Sequence, residues 1–339
     1  FNDRLRDAVR GGNPFGDREK QGLANGILSN PNGLADVNAS YDRATLFADQ
    51  TRVGLAGNLR DYTFIDRNGN LVTGAEVDYN GSPVGYTADP QENIIYVDKH
   101  DNETLFDNNV FKAPQDTSAE DRVRMQTLGS AFVMYSQGVP FFHAGTDLLR
   151  SKSLDRNSYN SGDWFNRLDW TYQTNNFGVG LPPAGDNSGE WNRMRPFLAD
   201  PNIAPAPENI VASAQRFQDM LRVRYSSPLF RLTTGADVQE RVYFYNVGLE
   251  QIGGLIVMHL SDEVGADLDP NHKHVLVIFN ATNDTLSGYM DDALAGLGTW
   301  ELHPILANGA DDLMKEASYD EASGFSIPRY SAAVFVIKQ

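Results

Sequence analysis

Two short apolar runs, Ile94-Ile-Tyr-Val97 and Val139-Pro-Phe-Phe142, constrain what this chain can fold into more than any other feature. Neither alternates between apolar and polar residues, so each reads as a strand buried on both faces, as in a parallel sheet covered by helices. Between them, Thr117-x-x-Glu120 reads as a capping box that opens a helix carrying Val123, Leu128 and Phe132 and stopping at Gly138. Upstream, the spacing predicts a helix from Asp42 to Leu55, with Leu46, Phe47 and Val53 on one face. The segment from Tyr62 to Val72 alternates around Asn68-Gly69, which signals a hairpin.

The texture changes twice after that. Six of the 16 prolines fall between Pro182 and Pro207, so no regular element is expected to cross that stretch. Trp191 and Phe197 within it suggest an ordered loop packed on the surface. A helix follows, with Ile210, Ala214, Phe217 and Leu221 at helical spacing. Beyond Leu232 only strand patterns remain: Val242/Phe244, Leu255/Val257/His259, Val275/Val277/Phe279 and the run Ala332 to Ile337. Strands at near-regular spacing with Gly, Asn and Asp between them suggest an antiparallel β sandwich. The architecture expected is strand–helix alternation over residues 1–231, closed by a β sandwich over 232–339.

Composition narrows the partners. The 28 basic and 45 acidic residues leave a net charge of −17, which repels phosphate backbones and anionic lipids. Nucleic acid and membrane surfaces are therefore not expected partners, whereas a neutral sugar is not penalised. No run approaches the ~18 apolar residues of a membrane-spanning helix. Cysteine is absent, which removes disulfides, thiolate metal sites and a cysteine nucleophile. The first residue is Phe rather than Met, so a piece of something longer, or a processed chain, is expected.

Two constellations could carry chemistry. Lys99-His100-Asp101-Asn102 lies just past the first buried strand, where α/β proteins gather reactive side chains. The carboxylate could hold sugar hydroxyls or stabilise positive charge, and the imidazole could donate a hydrogen bond. The competing reading is a loop whose Asp and Asn cap the next helix. His143-Ala-Gly-Thr-Asp147 follows the second strand, and Arg150 to Arg167 is dense in planar hydrogen-bonding groups and aromatics, the mixture that grips sugars. A polar loop with ordinary structural aromatics would look the same. A metal hydrolase would need ligands beyond His100 and His143, since the other four of six histidines lie in the β region. His272-Lys-His274 has the spacing of a metal clip, but an exposed strand edge is the expected reading. No nucleophile elbow and no phosphate-binding loop is present.

Tyr96-Val-Asp-Lys-His-Asp-Asn-Glu-Thr-Leu105 resembles the fourth signature segment of the α-amylase superfamily, in the form used by pullulanases and limit dextrinases. Gly138-Val-Pro-Phe-Phe-His-Ala-Gly145 resembles its seventh segment, and Leu149 to Asn166 looks specifically debranching-type, as do Phe1 to Ala8, Leu55 to Leu59 and Tyr225 to Leu232. The resemblance implies the C-terminal part of a (β/α)₈ barrel followed by an antiparallel β-sandwich domain. It implies retaining hydrolysis of α-1,6-glucosidic branch points through a nucleophilic carboxylate, an acid/base carboxyl and a covalent glycosyl-enzyme. Asp101 matches the third carboxylate of such sites, the transition-state stabiliser, and His100 its neighbouring hydroxyl donor. Arg156 and Asn157 match contacts to the next glucose outward, with Tyr159 beside them. Asn157 stands where the resemblance leads one to expect Asp, and Asp147 where many relatives have Glu.

In that family the nucleophile and the acid/base precede the segment matching Phe1-Asn-Asp-Arg4, so this chain is expected to bring Asp101 alone and to be inactive by itself. The expected partners are a branched α-glucan or maltooligosaccharide and the N-terminal remainder of the same enzyme. No cofactor is expected, although structural calcium occurs in the family. A non-catalytic glucan-binding or scaffolding fragment, and a transferase of the same superfamily, are the alternatives the sequence leaves open. It does not discriminate among α-glucans or assign a compartment.

Overall fold

A computed structural model of the chain describes residues 1–34 and 37–339. Helices dominate the first two thirds: Asp3–Arg10, Val37–Leu55, Leu105–Lys112, Ala119–Met134 and Pro207–Ser226 are the longer ones near the core. The helix at 119 is capped by Ser118, whose Oγ accepts from the Asp121 amide at 3.1 Å. The start therefore sits one residue later than the Thr117 box implied. The expected hairpin is present, Thr63–Ile65 pairing with Leu71–Thr73, and Gly69 turns it with φ near 81°. The proline-rich stretch is not free of regular structure: Trp191–Leu198 is helical with Pro196 inside it, and the Trp191 Nε1 donates to the Pro182 carbonyl at 2.9 Å. Among the described residues no helix is long and apolar enough to cross a membrane.

The expected part of a (β/α)₈ barrel is not what the chain forms. Its two buried runs make one short parallel ladder, Ile94 against Val139 and Ile95 against Pro140. Otherwise the only parallel pairing among the described residues is a single bridge from Leu59 to Thr87. A barrel strand needs a partner on each edge, and this pair has one each. Among the described residues no complete barrel is present; helices and several small sheets take its place.

The C-terminal portion also departs from a simple two-sheet sandwich. A five-stranded antiparallel sheet has the order Glu301–Leu302, Ser331–Lys338, His272–Asn280, Leu255–Ser261, Val242–Tyr245. Its register pairs Phe279 with Ala332 and Leu276 with Phe335, so these two pairs lie on opposite faces. On one face the Phe279 ring stacks on Phe132 of the Ala119–Met134 helix, at 4.5 Å between centroids. On the other, Phe335 meets Phe325 edge-on at 5.1 Å, within a three-stranded sheet of Leu286–Tyr289, Gly324–Ile327 and Ser318–Asp320. The five-stranded sheet is thus a middle layer, which is why Leu255–Ser261 is buried along its whole length. One hydrophobic core runs from Leu5 through Phe132 to Val336 without a break at residue 232.

The same layering corrects the expectation for His272 and His274. Both are buried in a central strand, not exposed at an edge. His272 Nδ1 meets Asp269 Oδ2 at 3.0 Å and His274 Nδ1 meets His259 Nε2 at 3.0 Å. No group of three or more metal-ligating side chains forms among the described residues. Burial, assisted by His274, pushes the His259 imidazole from 6.5 down to about 3, and burial followed by His272 pushes His303 down to about 4. Unfolding frees both to take up protons, so their stabilising contribution is complete above the unfolded value of 6.5 and is lost as pH falls towards the folded values. The melting temperature should drop steadily from neutral pH to about pH 4, and His259→Gln should flatten that slope. Scanning calorimetry across the range measures it; an unchanged slope in the variant would remove His259 from the account.

Candidate functional site

The loop between the Ile94–Ile95 strand and the Leu105–Lys112 helix carries His100 and Asp101, and it is tied down from four sides. Arg10, buried at the end of the first helix, donates from Nη1 to the Val97 carbonyl at 3.1 Å and from Nη2 to the Glu103 carbonyl at 3.2 Å. One guanidinium thereby clamps both ends of the loop. Asp98 is buried and accepts from the Leu105 amide at 2.9 Å and the Thr146 hydroxyl at 3.1 Å. The Lys152 ammonium, also buried, reaches the His100 carbonyl at 3.4 Å. Glu103 pairs with Arg18 at 3.0 Å.

These ties decide between the two sequence readings of the loop. The helix that follows is capped by Thr104, whose Oγ1 accepts from the Asp107 amide at 3.1 Å, and by Asp98. Asp101 and Asn102 are not needed as caps and project instead into a cleft of about 620 Å³. Asn102 holds a left-handed backbone, φ 64°, a region that asparagine tolerates better than most residues.

Asp101 pairs with Lys99 and, at 3.1 Å, with His100 Nδ1. The hydrogen bond from the Lys99 ammonium, aided by its charge and by His100, holds the Asp101 carboxyl below the usual carboxylate range. Asp101 is therefore an anion at any physiological pH, suited to holding hydroxyls or a developing positive charge and unsuited to donating a proton. Arg156 and Asn157 line the same cleft. The two sequence segments, more than fifty residues apart in the chain, therefore do meet.

Two of the expected residues stand further out. His100 is 78% exposed and touches the cleft through its contact with Asp101. Tyr159, 80% exposed, is not among the lining residues. Sequence reasoning missed the opposite wall, which comes from the first helix and the loop after it. Arg6 lies there, with Nη1 donating to the Tyr96 hydroxyl at 2.6 Å and Nε to Asp7 at 2.7 Å. Tyr79 donates to the other Asp7 oxygen at 2.6 Å. Phe15 lies under the Arg156 guanidinium, 5.1 Å from its centroid. Only a polar–aromatic composition could have signalled these residues, because Tyr96, Tyr79 and Arg156 lie 70 or more positions from the residues of the first helix and its loop that they meet.

The Asn157 departure has a local cause. Its Nδ2 donates to Asp186 Oδ2 at 3.0 Å, and Asp186 lines the cleft too. An aspartate at 157 could not donate and would set two carboxylates against each other. The loop around it is organised by buried Asp155, which accepts from the Asn157 amide at 2.9 Å and from Asn187 Nδ2 at 3.1 Å.

The class of protein now follows from comparison with known ones: the chain falls among the glycoside hydrolases. Residues 172–338 match the family described as alpha-1,6-glucosidases, pullulanase-type, C-terminal. The chloroplastic pullulanase 1 of Arabidopsis thaliana is 45% identical over 99% of this chain and 36% of its own length. The pullulanase of Klebsiella pneumoniae is 40% identical over 100% of this chain and 31% of its own length. The apo crystal structure of pullulanase from Klebsiella pneumoniae superposes with a TM-score of 0.94 at 40% identity, covering all of this chain and 37% of that one. A maltotriose complex of the same organism's enzyme also gives 0.94, over 36% of its chain. The chain belongs to the pullulanase family and spans about a third of the length of the curated relatives it matches.

Lys99→Met removes the main cause of the Asp101 shift. The carboxyl should then titrate closer to the ordinary value of 3.8. Carboxyl-carbon NMR titration reads this directly, and an unmoved midpoint would mean that Lys99 does not set the charge of the cleft.

Proposed function

We propose that this chain is the α-glucan-binding, C-terminal part of a retaining α-1,6-glucosidase acting on pullulan, limit dextrins or related branched α-glucans. The observation that carries the reading is Asp101: an anion held by Lys99 in a cleft shared with Arg156, Asn157 and Asn102. Hydrolysis with retention needs a carboxylate nucleophile and a carboxyl acid on either side of the bond, ~5–5.5 Å apart. Asp101 does not fit the acid, because it carries no proton to give, and we assign it a third task rather than that of the nucleophile. It would accept hydrogen bonds from ring hydroxyls of the scissile glucose and oppose the positive charge that builds on the ring as the bond breaks. His100 would donate to a hydroxyl of the same glucose, and Arg156 and Asn157 would hold the next glucose out.

The nucleophile and acid would come from the N-terminal remainder of the same enzyme. Exposed apolar side chains beside the one-sided parallel ladder support such a partner: Phe1, Val139 and Phe141 stand together there, with the Phe1 and Phe141 rings 5.8 Å apart. That preceding segment would cover them. The family membership and the maltotriose-bound relative support the substrate class.

A second reading, a non-catalytic glucan-binding fragment, is favoured by the same charge on Asp101, which suits hydroxyl binding and supplies no proton. Two measurements separate the readings. In a protein that includes the preceding residues, Asp101→Asn should lower kcat by about 10²–10³, the worth of one group aimed at transition-state charge. Near-normal turnover there would end the catalytic reading of Asp101. The 339-residue chain alone should bind maltotriose without releasing reducing ends from pullulan. Release of reducing ends would show that the chain holds its own nucleophile and acid.

A further inference from the structure

Trp164 is 65% exposed, yet it is held in place. Its indole Nε1 donates to the Val179 carbonyl at 3.0 Å, and its own carbonyl accepts from Asn176 Nδ2 at 3.0 Å. The short helix that bears it, Gly162–Asn166, is locked to the preceding turn by a reciprocal pair. Asn166 Nδ2 donates to the Ser158 carbonyl at 2.8 Å, and Ser158 Oγ donates to Asn166 Oδ1 at 2.8 Å. A tryptophan pinned by one edge offers a rigid aromatic surface to solvent at little further cost in rotamer entropy. It borders a groove of about 330 Å³ whose other walls are Asp163, Asn166 and Arg167.

That composition selects the ligand. The exposed patch at Phe1, Val139 and Phe141 is apolar throughout and suits a protein segment. The Trp164 groove instead sets one aromatic face beside a carboxylate and a guanidinium, planar groups that pair with adjacent hydroxyls, while the Asn166 amide is engaged with Ser158 and Gly162 and holds the helix in place. A glucose unit presents a matching apolar C–H face and polar rim. The excess of acidic residues disfavours anionic ligands and leaves a neutral sugar unaffected. The groove is tied to the cleft through one turn: Asn157 lines the cleft, and Ser158, next to it, is the residue that holds Asn166.

We propose that Trp164, with Asp163 and Arg167, forms a second glucose-binding platform that receives a maltooligosaccharide chain extending beyond the Asp101 cleft. The proposal rests on the glucan-binding reading of that cleft and adds a contact outside it. The platform stacks one glucose on the indole while the polar walls orient its hydroxyls, so that longer chains bind more tightly than short ones.

The test is titration calorimetry of the full chain with maltohexaose, comparing wild type, Trp164→Ala, Trp164→Phe and Arg156→Ala, each verified as folded by its melting curve. Loss of one stacking contact should weaken maltohexaose binding in Trp164→Ala by about fivefold. Trp164→Phe, which keeps an aromatic face without the N–H, should stay within about twofold of wild type. Arg156→Ala should weaken binding independently. If Trp164→Ala binds like wild type while Arg156→Ala is weakened, the platform is refuted and the cleft stands. If only Trp164→Ala is weakened, the cleft reading falls and the platform stands. If neither variant changes, or wild type binds no maltohexaose, both fall.

Discussion

The guanidinium of Arg10 is the interaction on which the candidate site depends. It is buried, and its donors go to the carbonyls of Val97 and Glu103 and to the Asn108 side chain at 3.1 Å. A buried charge is tolerated only when its hydrogen-bonding capacity is used, and breaking such a set typically costs about 3–5 kcal/mol. Those acceptors are the two ends of the Asp101 loop and the helix that follows it. The first helix, the strand at 94 and the helix at 105 are therefore one mechanical unit, and the carboxylate of Asp101 is presented by a loop that has little freedom. Lys152 and Asp107 extend the unit inward. Burial raises the Asp107 carboxyl to about 6 even though it accepts from Ser151 and from the Lys152 amide.

The second constraint is the five-stranded sheet, whose central strands are covered on both faces. Because Phe279 stacks on a helix from the first part of the chain and Phe335 on a strand from the last, the sheet joins the two parts through side chains. Arg124 reinforces the join with a two-point contact to Asp311, at 2.6 and 3.2 Å. The platform that carries the cleft is thus continuous with the C-terminal layers, and the core does not divide where the sequence texture changes.

Local signals in the sequence translated well. The Asn68-Gly69 hairpin, the helix through Ile210 and Leu221, and the strands at Leu255 and Val275 all formed, because turn chemistry and apolar periodicity are set by neighbours a few residues apart. What failed was inference about what lies on the other side of an element. The alternation Val275, Val277, Phe279 was read as a sandwich strand, and it was the covering helix on its other face that turned a sandwich into three layers. In the same way, two buried runs predicted parallel pairing but could not reveal that each would find only one neighbour. His272 and His274 were misplaced for the same reason, since spacing cannot distinguish an edge strand from a central one.

The candidate site divides along the same line. Its charged centre, Lys99-His100-Asp101-Asn102, is a contiguous motif and was legible; its far wall of Arg6, Phe15 and Tyr79 is assembled from side chains brought together only by folding. Asn157 shows what the fold adds to a motif. By sequence it is a loss of charge, but opposite Asp186 it is the partner that lets a carboxylate remain in the cleft without repulsion. Asp186 thus keeps a carboxylate in the cleft next to Asn157. Under the proposed glucan-binding reading, a neutral ligand meets no net repulsion there, whereas the net charge of −17 disfavours competing anions.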